Sequence, residues 1–178
     1  MNIEQIIAEC VQSMQSQDNA LNVIDAAIVQ YPGYASLFFL RASEQAENGE
    51  FQLALSDFAT ALVLEPEFHL ARLQYIFCSI SLQQTMALPV LLQPLLQLDD
   101  CAVKCYANAL VAILQGNTEL KDQMLQQAGQ FADAVAPITE NIRQLMINLP
   151  DVVLDPTIAP EQDGVISSIL LEVYQQRH

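Results

Sequence analysis

Apolar residues recur at intervals of three and four positions along almost the whole chain, and no alternating run of strand length stands out. This spacing places the apolar side chains on one face of a helix and predicts an all-α protein. The pattern predicts helices over residues 3–15, 19–31, 35–48, 51–64, 70–82, 87–97, 101–115 and 118–133. A further helix is predicted in the segment PITENIRQLMIN, which begins at Pro137, and a last one over 164–175, capped by Asp163.

Small residues return at a fixed interval within this helical pattern. One set of positions is Ala42, Gly49, Ala54, Ala61 and Pro66. The alanines and the proline of this set have counterparts 34 residues earlier, at Ala8, Ala20, Ala27 and Pro32, and later partial counterparts at Ala109, Gly116 and Ala128. Small side chains let helices pack closely, glycine permits a tight turn, and proline ends a helix. The pattern therefore predicts successive helix–turn–helix units.

Helix pairs repeated at this interval resemble the tetratricopeptide repeat. The likeness is closest over 1–68, weaker over 69–101, partial over 102–135 and absent after 136, and in the third unit Leu82 or Gln83 replaces the turn glycine. The resemblance implies a short right-handed α-solenoid of antiparallel helix pairs, with units at about 1–34, 35–68, 69–101 and 102–135. Residues 136–178 would supply a helix, an acidic proline-rich loop and a C-terminal helix that either caps the array or occupies its groove.

The resemblance also implies a concave groove that is lined by the first helix of each unit and that holds a partner peptide. The family's groove positions in the first unit fall on Gln5 and Glu9, and those of the later units on Phe39, Ser43, Leu73, Phe77, Tyr106 and Leu110. None of these residues is basic, which disfavours a clamp for a terminal carboxylate. An amphipathic helix or an apolar strand would suit the aromatic end. The alternative is that these side chains pack within the protein's own core.

The charge of the chain limits the classes of partner. Twenty-one acidic residues against six basic ones give a net charge of −15, which disfavours nucleic acid and anionic membranes and favours a basic partner. The same charge would also simply keep an apolar protein soluble. No charged residue occurs between Leu73 and Leu98, but the amides and two prolines in this stretch indicate a buried repeat interface rather than a membrane span. No N-terminal signal is visible, so we expect a cytoplasmic protein.

Candidate chemistry is sparse. Cys101 and Cys105 would share one helical face and could hold a soft metal ion, but only His69 and His178 could complete such a site, so buried reduced thiols are favoured. The sequence has no Gly-rich phosphate loop, no GxSxG turn and no HExxH segment. We therefore expect a protein without enzymatic activity and without a cofactor.

The function that these patterns favour is protein–protein recognition. An adaptor or chaperone would hold an apolar, amphipathic or basic segment of a partner in its concave groove. One alternative is an accessory protein of a bacterial secretion or envelope assembly. A second, from another class, is a thiol- or metal-dependent protein that uses Cys101 and Cys105, and a third is self-association through the apolar face.

Overall fold

The computed structural model describes residues 2–16, 19–84 and 86–148, and these residues form α-helices with no strand among them. The helices are α1 (Ile3–Ser16), α2 (Ala20–Gln30), α3 (Ala35–Glu47), α4 (Phe51–Leu64), α5 (His69–Ser81), α6 (Leu88–Leu96), α7 (Ala102–Leu114), α8 (Thr118–Ala128) and α9 (Ala136–Asn148). The all-α prediction is confirmed for this part of the chain. The predicted acidic loop and the last helix, 164–175, lie outside the described residues.

The helix bounds agree with the sequence prediction to within one residue, except at the end of α8. The apolar pattern predicts that helix to residue 133, but it ends at Ala128, just before Gly129. Beyond that point the backbone N–H groups of Gln130 and Phe131 donate to carbonyls only three residues back, at 3.0 and 3.1 Å. Glycine is a poor helix former, and the chain tightens into a turn there.

The chain divides into two compact units, Met1–Gln84 and Thr85–His178. The first, unit 1, contains α1 to α5, and the second, unit 2, contains α6 to α9. The boundary falls inside the third repeat that the sequence predicts, 69–101.

In unit 1 each helix packs against the next one along the chain, and α3 also packs against α1 and α5. Two apolar clusters fill these contacts. The first consists of Ile6, Cys10, Ile24, Ala27 and Leu37, and the second is built around Ala42, Ala54, Leu55, Phe58, Ala61 and Cys78. Ala42, Ala54 and Ala61 have no exposed surface. The alanines that mark the repeat in the sequence are therefore positions where helices approach each other closely.

In unit 2 helix α7 is the central element, because α6, α8 and α9 all pack against it. Nine of its thirteen residues are buried. A helix that is apolar on all sides has no face for solvent, so its neighbours must surround it. The segment AVKCYANALVAIL matches this requirement, since Lys104 is its only charged residue.

Three helices end in the same kind of turn. Gly49, Gln83 and Gly116 have left-handed backbone angles, with φ of +79°, +57° and +68°. The residue after each one donates its backbone N–H to the carbonyl five residues back, at 2.8 Å in all three turns (Glu50 to Gln45, Gln84 to Ser79, Asn117 to Ala112). This is the Schellman motif, which satisfies free carbonyls at a helix end. The turns stand 34 and 33 residues apart, so the interval seen in the sequence is also an interval in backbone conformation.

We expect Gln83→Gly to raise the free energy of unfolding by about 0.5–1 kcal/mol. The left-handed conformation costs a non-glycine residue about 1–2 kcal/mol, and glycine removes this cost. Part of the gain is lost because glycine also increases the conformational entropy of the unfolded chain. Gly49→Ala should lower it by about 1 kcal/mol. A Cβ at Gly49 meets nothing within 4 Å, so only the backbone angle opposes it. Urea denaturation followed by circular dichroism measures both changes.

Gly33→Ala is the matched control for this pair. A Cβ at Gly33 also meets nothing within 4 Å, but this residue lacks the positive φ, so its substitution should not destabilise the protein. A loss of stability in Gln83→Gly would contradict the assignment of strain to this turn.

Candidate binding groove

Helices α1, α3 and α5 are the first helices of the predicted repeats in unit 1 and are called the row below. Helix α3 contacts both α1 and α5. On this row the predicted groove residues differ in exposure. Gln5 and Glu9 on α1 are exposed, Phe39 and Ser43 on α3 are half-buried, and on α5 Leu73 is buried while Phe77 is half-buried. The surface of the row is therefore polar at α1 and acquires apolar character towards α5.

The two phenylalanines of the row take part in an aromatic cluster. The Phe39 ring centroid lies 4.9 Å from that of Phe68 and 5.8 Å from that of Phe58, and the Phe77 centroid lies 6.5 Å from that of Phe51. Tilted and edge-on pairs at such distances stabilise a fold beyond the area they bury. Phe39 and Phe77 thus contribute to the core of unit 1 and keep only part of their surface for another molecule.

Ser43 is bonded within its own helix. Its hydroxyl donates to the carbonyl of Phe39 at 2.8 Å, and Ser81 on α5 does the same to the carbonyl of Phe77 at 3.0 Å. Such bonds to the preceding turn satisfy the hydroxyl proton and leave the oxygen able to accept. Among the groove residues predicted on α3 and α5, Phe39, Ser43 and Phe77 retain exposed surface.

The other two predicted groove residues, Tyr106 and Leu110, lie in the interior of unit 2 and are 0% and 1% exposed. The Tyr106 hydroxyl accepts from the backbone N–H of Val135 at 2.9 Å and lies 3.0 Å from Thr139 Oγ1 and 3.2 Å from the Val135 carbonyl. These bonds tie α7 to the first turn of α9. Both side chains pack inside their own unit.

A charged network in unit 1 was not predicted from the sequence. Arg41 on α3 donates from Nε and Nη2 to the two carboxylate oxygens of Asp57 on α4, at 2.6 and 2.7 Å, and from Nη1 to Asp25 on α2 at 2.6 Å. The hydrogen bonds that Arg41 donates to Asp57 and, with a smaller effect, to Asp25 raise the pKa of its guanidinium. One signal was present: Asp57 stands in the apolar stripe of α4 between Ala54 and Phe58, and an acid on a buried face requires a partner.

A cleft of about 470 Å³ lies between α1 and α2. Its apolar lining includes Ile6, Cys10 and Val23, and its polar lining includes Glu9, Asn22 and Gln30. Burial, and to a smaller extent the charge of Glu9, raises the pKa of the Cys10 thiol. Glu9 therefore both lines the cleft and is one of the groove residues predicted on α1.

The two cysteines of the predicted pair differ in their exposure. Cys101 precedes α7 and is half-buried, while Cys105 is 4% exposed. Burial, followed by the neighbouring Cys101 and Asp100, raises the pKa of the Cys105 thiol. A raised pKa disfavours the thiolate, which is the form that attacks or binds metal. Among the residues that the structure describes, no group of three or more His, Cys, Asp or Glu side chains is placed to hold a metal ion.

The uncharged stretch from Leu73 to Leu98 is divided between α5 and the short helix α6. Within 2–16, 19–84 and 86–148, no helix has both the length and the apolar character that crossing a membrane requires.

Comparison of the chain with family models, with curated proteins and with solved structures gives no match. The likeness to the tetratricopeptide repeat therefore rests on the spacing of small residues, the helix bounds and the repeated turns.

Proposed function

We propose that the chain is a protein–protein interaction module of the tetratricopeptide type, an adaptor or chaperone that holds a basic, amphipathic segment of a partner on the row α1, α3, α5. The observation that carries the proposal is the contact of α3 with both α1 and α5, which would allow the first helices of successive pairs to share one surface. Repeat proteins present such surfaces to extended or helical peptides.

The order of helix contacts in unit 1 supports this arrangement. Each helix packs against its neighbour in the chain, and α3 also packs against α1 and α5. Antiparallel helix pairs stacked side by side produce this order of contacts. The Schellman turns that follow α3 and α5 at an interval of 34 residues agree with it.

The charges of unit 1 favour a basic partner. Both of its arginines are already engaged: Arg41 binds Asp25 and Asp57, and Arg72 Nη2 donates to the Pro66 carbonyl at 2.7 Å. Within the described part of unit 1 the glutamates form no ion pair; they are Glu4, Glu9, Glu44, Glu47, Glu50, Glu65 and Glu67. Burial and the nearby Glu47 raise the pKa of Glu44. A cationic surface would relieve this repulsion and would associate faster at low salt.

Site-specific photo-crosslinking in the native host tests the proposal. A photoreactive residue in place of Gln12 or Ser43, on the first helices, should cross-link one partner, whereas the same residue in place of the exposed Ser56 on α4 should not. Capture should fall as the salt concentration rises, because exposed charges are screened.

Equal cross-linking from Ser43 and Ser56 would contradict the assignment of the binding surface to the first helices. A product with twice the mass of the chain would identify self-association instead of a separate partner.

A further inference from the structure

The cleft between α1 and α2 combines an apolar wall with polar groups from both helices. Val23 on α2 and, to a small extent, Ile6 on α1, which is 6% exposed, contribute apolar surface. Glu9, Asn22 and Gln30 contribute a carboxylate and two amides. A volume of about 470 Å³ falls within the range of small-ligand pockets and is more than large enough to admit one side chain. The cleft is thus suited to a group that has an aliphatic stem and a polar end.

The polar end that fits this cleft is a cation. Among the described residues of the lining, Glu9 is the only charged one, and no described residue forms an ion pair or hydrogen bond with its carboxylate. Asn22 uses its amide nitrogen to donate to Asn19 Oδ1 at 3.2 Å, which leaves its own Oδ1 as an acceptor. An ammonium group offers three donors to such a set of oxygens.

We propose that the α1–α2 cleft receives a lysine side chain of the partner, with its methylene groups against Ile6 and Val23 and its ammonium group at Glu9. This inference rests on the proposed function, since the lysine belongs to the partner. The net negative charge of unit 1 supplies the complementarity that draws the lysine in, and the apolar wall accommodates its stem.

A titration of the ¹⁵N-labelled full-length chain tests the cleft. The two probes are N-acetyl-lysine-methylamide and N-acetyl-norleucine-methylamide, which has a similar aliphatic stem without the ammonium group. The amide signals of Val23, Ala26 and Ala27 should shift and saturate with the lysine probe at a concentration about threefold lower than with the norleucine probe, the ratio expected of a partly exposed ion pair.

Glu9→Gln should abolish the preference for the lysine probe. Glu4→Gln is the matched control, because it removes the same charge from the same helix but lies outside the lining of the cleft. Equal binding of the two probes to the unmodified protein, or a preference that survives Glu9→Gln, would overturn the inference.

The two proposals fail separately. Equal binding of the two probes to the unmodified protein, with intact cross-linking from Ser43, removes only the lysine subsite. Absence of cross-linking from both Gln12 and Ser43 removes the proposed function itself, and with it the partner as the source of the lysine.

Discussion

Replacing Arg41 with alanine should lower the free energy of unfolding by about 3 kcal/mol, the largest effect we expect from changing a single charge in this protein. Arg41 satisfies both oxygens of Asp57, whose side chain is only 10% exposed, and also holds Asp25 on the neighbouring helix. Without the guanidinium, Asp57 is left as a buried carboxylate with no partner. Urea denaturation, together with hydrogen exchange of the α3 and α4 amides, measures the loss.

Arg143→Ala provides the matched control. Arg143 pairs with Glu140 at 2.6 Å, but both side chains are about half exposed, so the change should cost less than about 0.5 kcal/mol. The double variant Arg41→Met, Asp57→Leu removes both partners and should recover most of the stability that Arg41→Ala loses. If Arg41→Ala costs no more than Arg143→Ala, the network does not stabilise unit 1.

Tyr106→Ala should destabilise unit 2 by about 4 kcal/mol, because a fully buried aromatic side chain leaves a cavity in the core. Tyr106→Phe should cost about 1–2 kcal/mol, since the ring remains while Val135 and Thr139 lose the hydroxyl. Thermal and urea unfolding give both values, and exchange of the Val135 amide should increase in Tyr106→Phe.

Tyr34→Phe is the control for the hydroxyl, since Tyr34 is 44% exposed and its substitution should change stability little. The pair of Tyr106 variants also separates the two interpretations of this residue. A Tyr106→Phe protein with unchanged stability but lost partner capture would show Tyr106 to be a groove residue, contrary to its place in the core.

The sequence predicted the helices accurately because their determinants are local. The spacing of Ala54, Phe58 and Ala61 predicts the buried face of α4, and all three side chains are fully buried. Gly49 and Gly116 stand where the chain needs a left-handed residue, and Gln83, which stands where the repeat pattern expects a glycine, adopts the same conformation. Helix ends and turns depend on a few neighbouring residues, so a repeat interval in the sequence becomes a repeat interval in the backbone.

The exposure of the candidate groove residues could not be predicted from the sequence. Position in the repeat assigns Gln5, Phe39, Leu73 and Tyr106 to one surface. In the structure Gln5 is exposed, Phe39 is half-buried, and Leu73 and Tyr106 are buried. Position within a helix determines which side chains share a face, but it does not determine which other element packs against that face.

What the sequence alone determined is the helical character, the turns and, apart from the end of α8, the helix bounds of the described residues. These follow from periodicity and from the backbone preferences of nearby residues. Tertiary structure alone decided that α9 packs on α7 beside Tyr106, that Arg41 joins Asp25 and Asp57, and that a cleft opens between α1 and α2. Each of these depends on contacts between side chains that are distant in the sequence and come together only when the helices pack. No local sequence pattern determines such contacts.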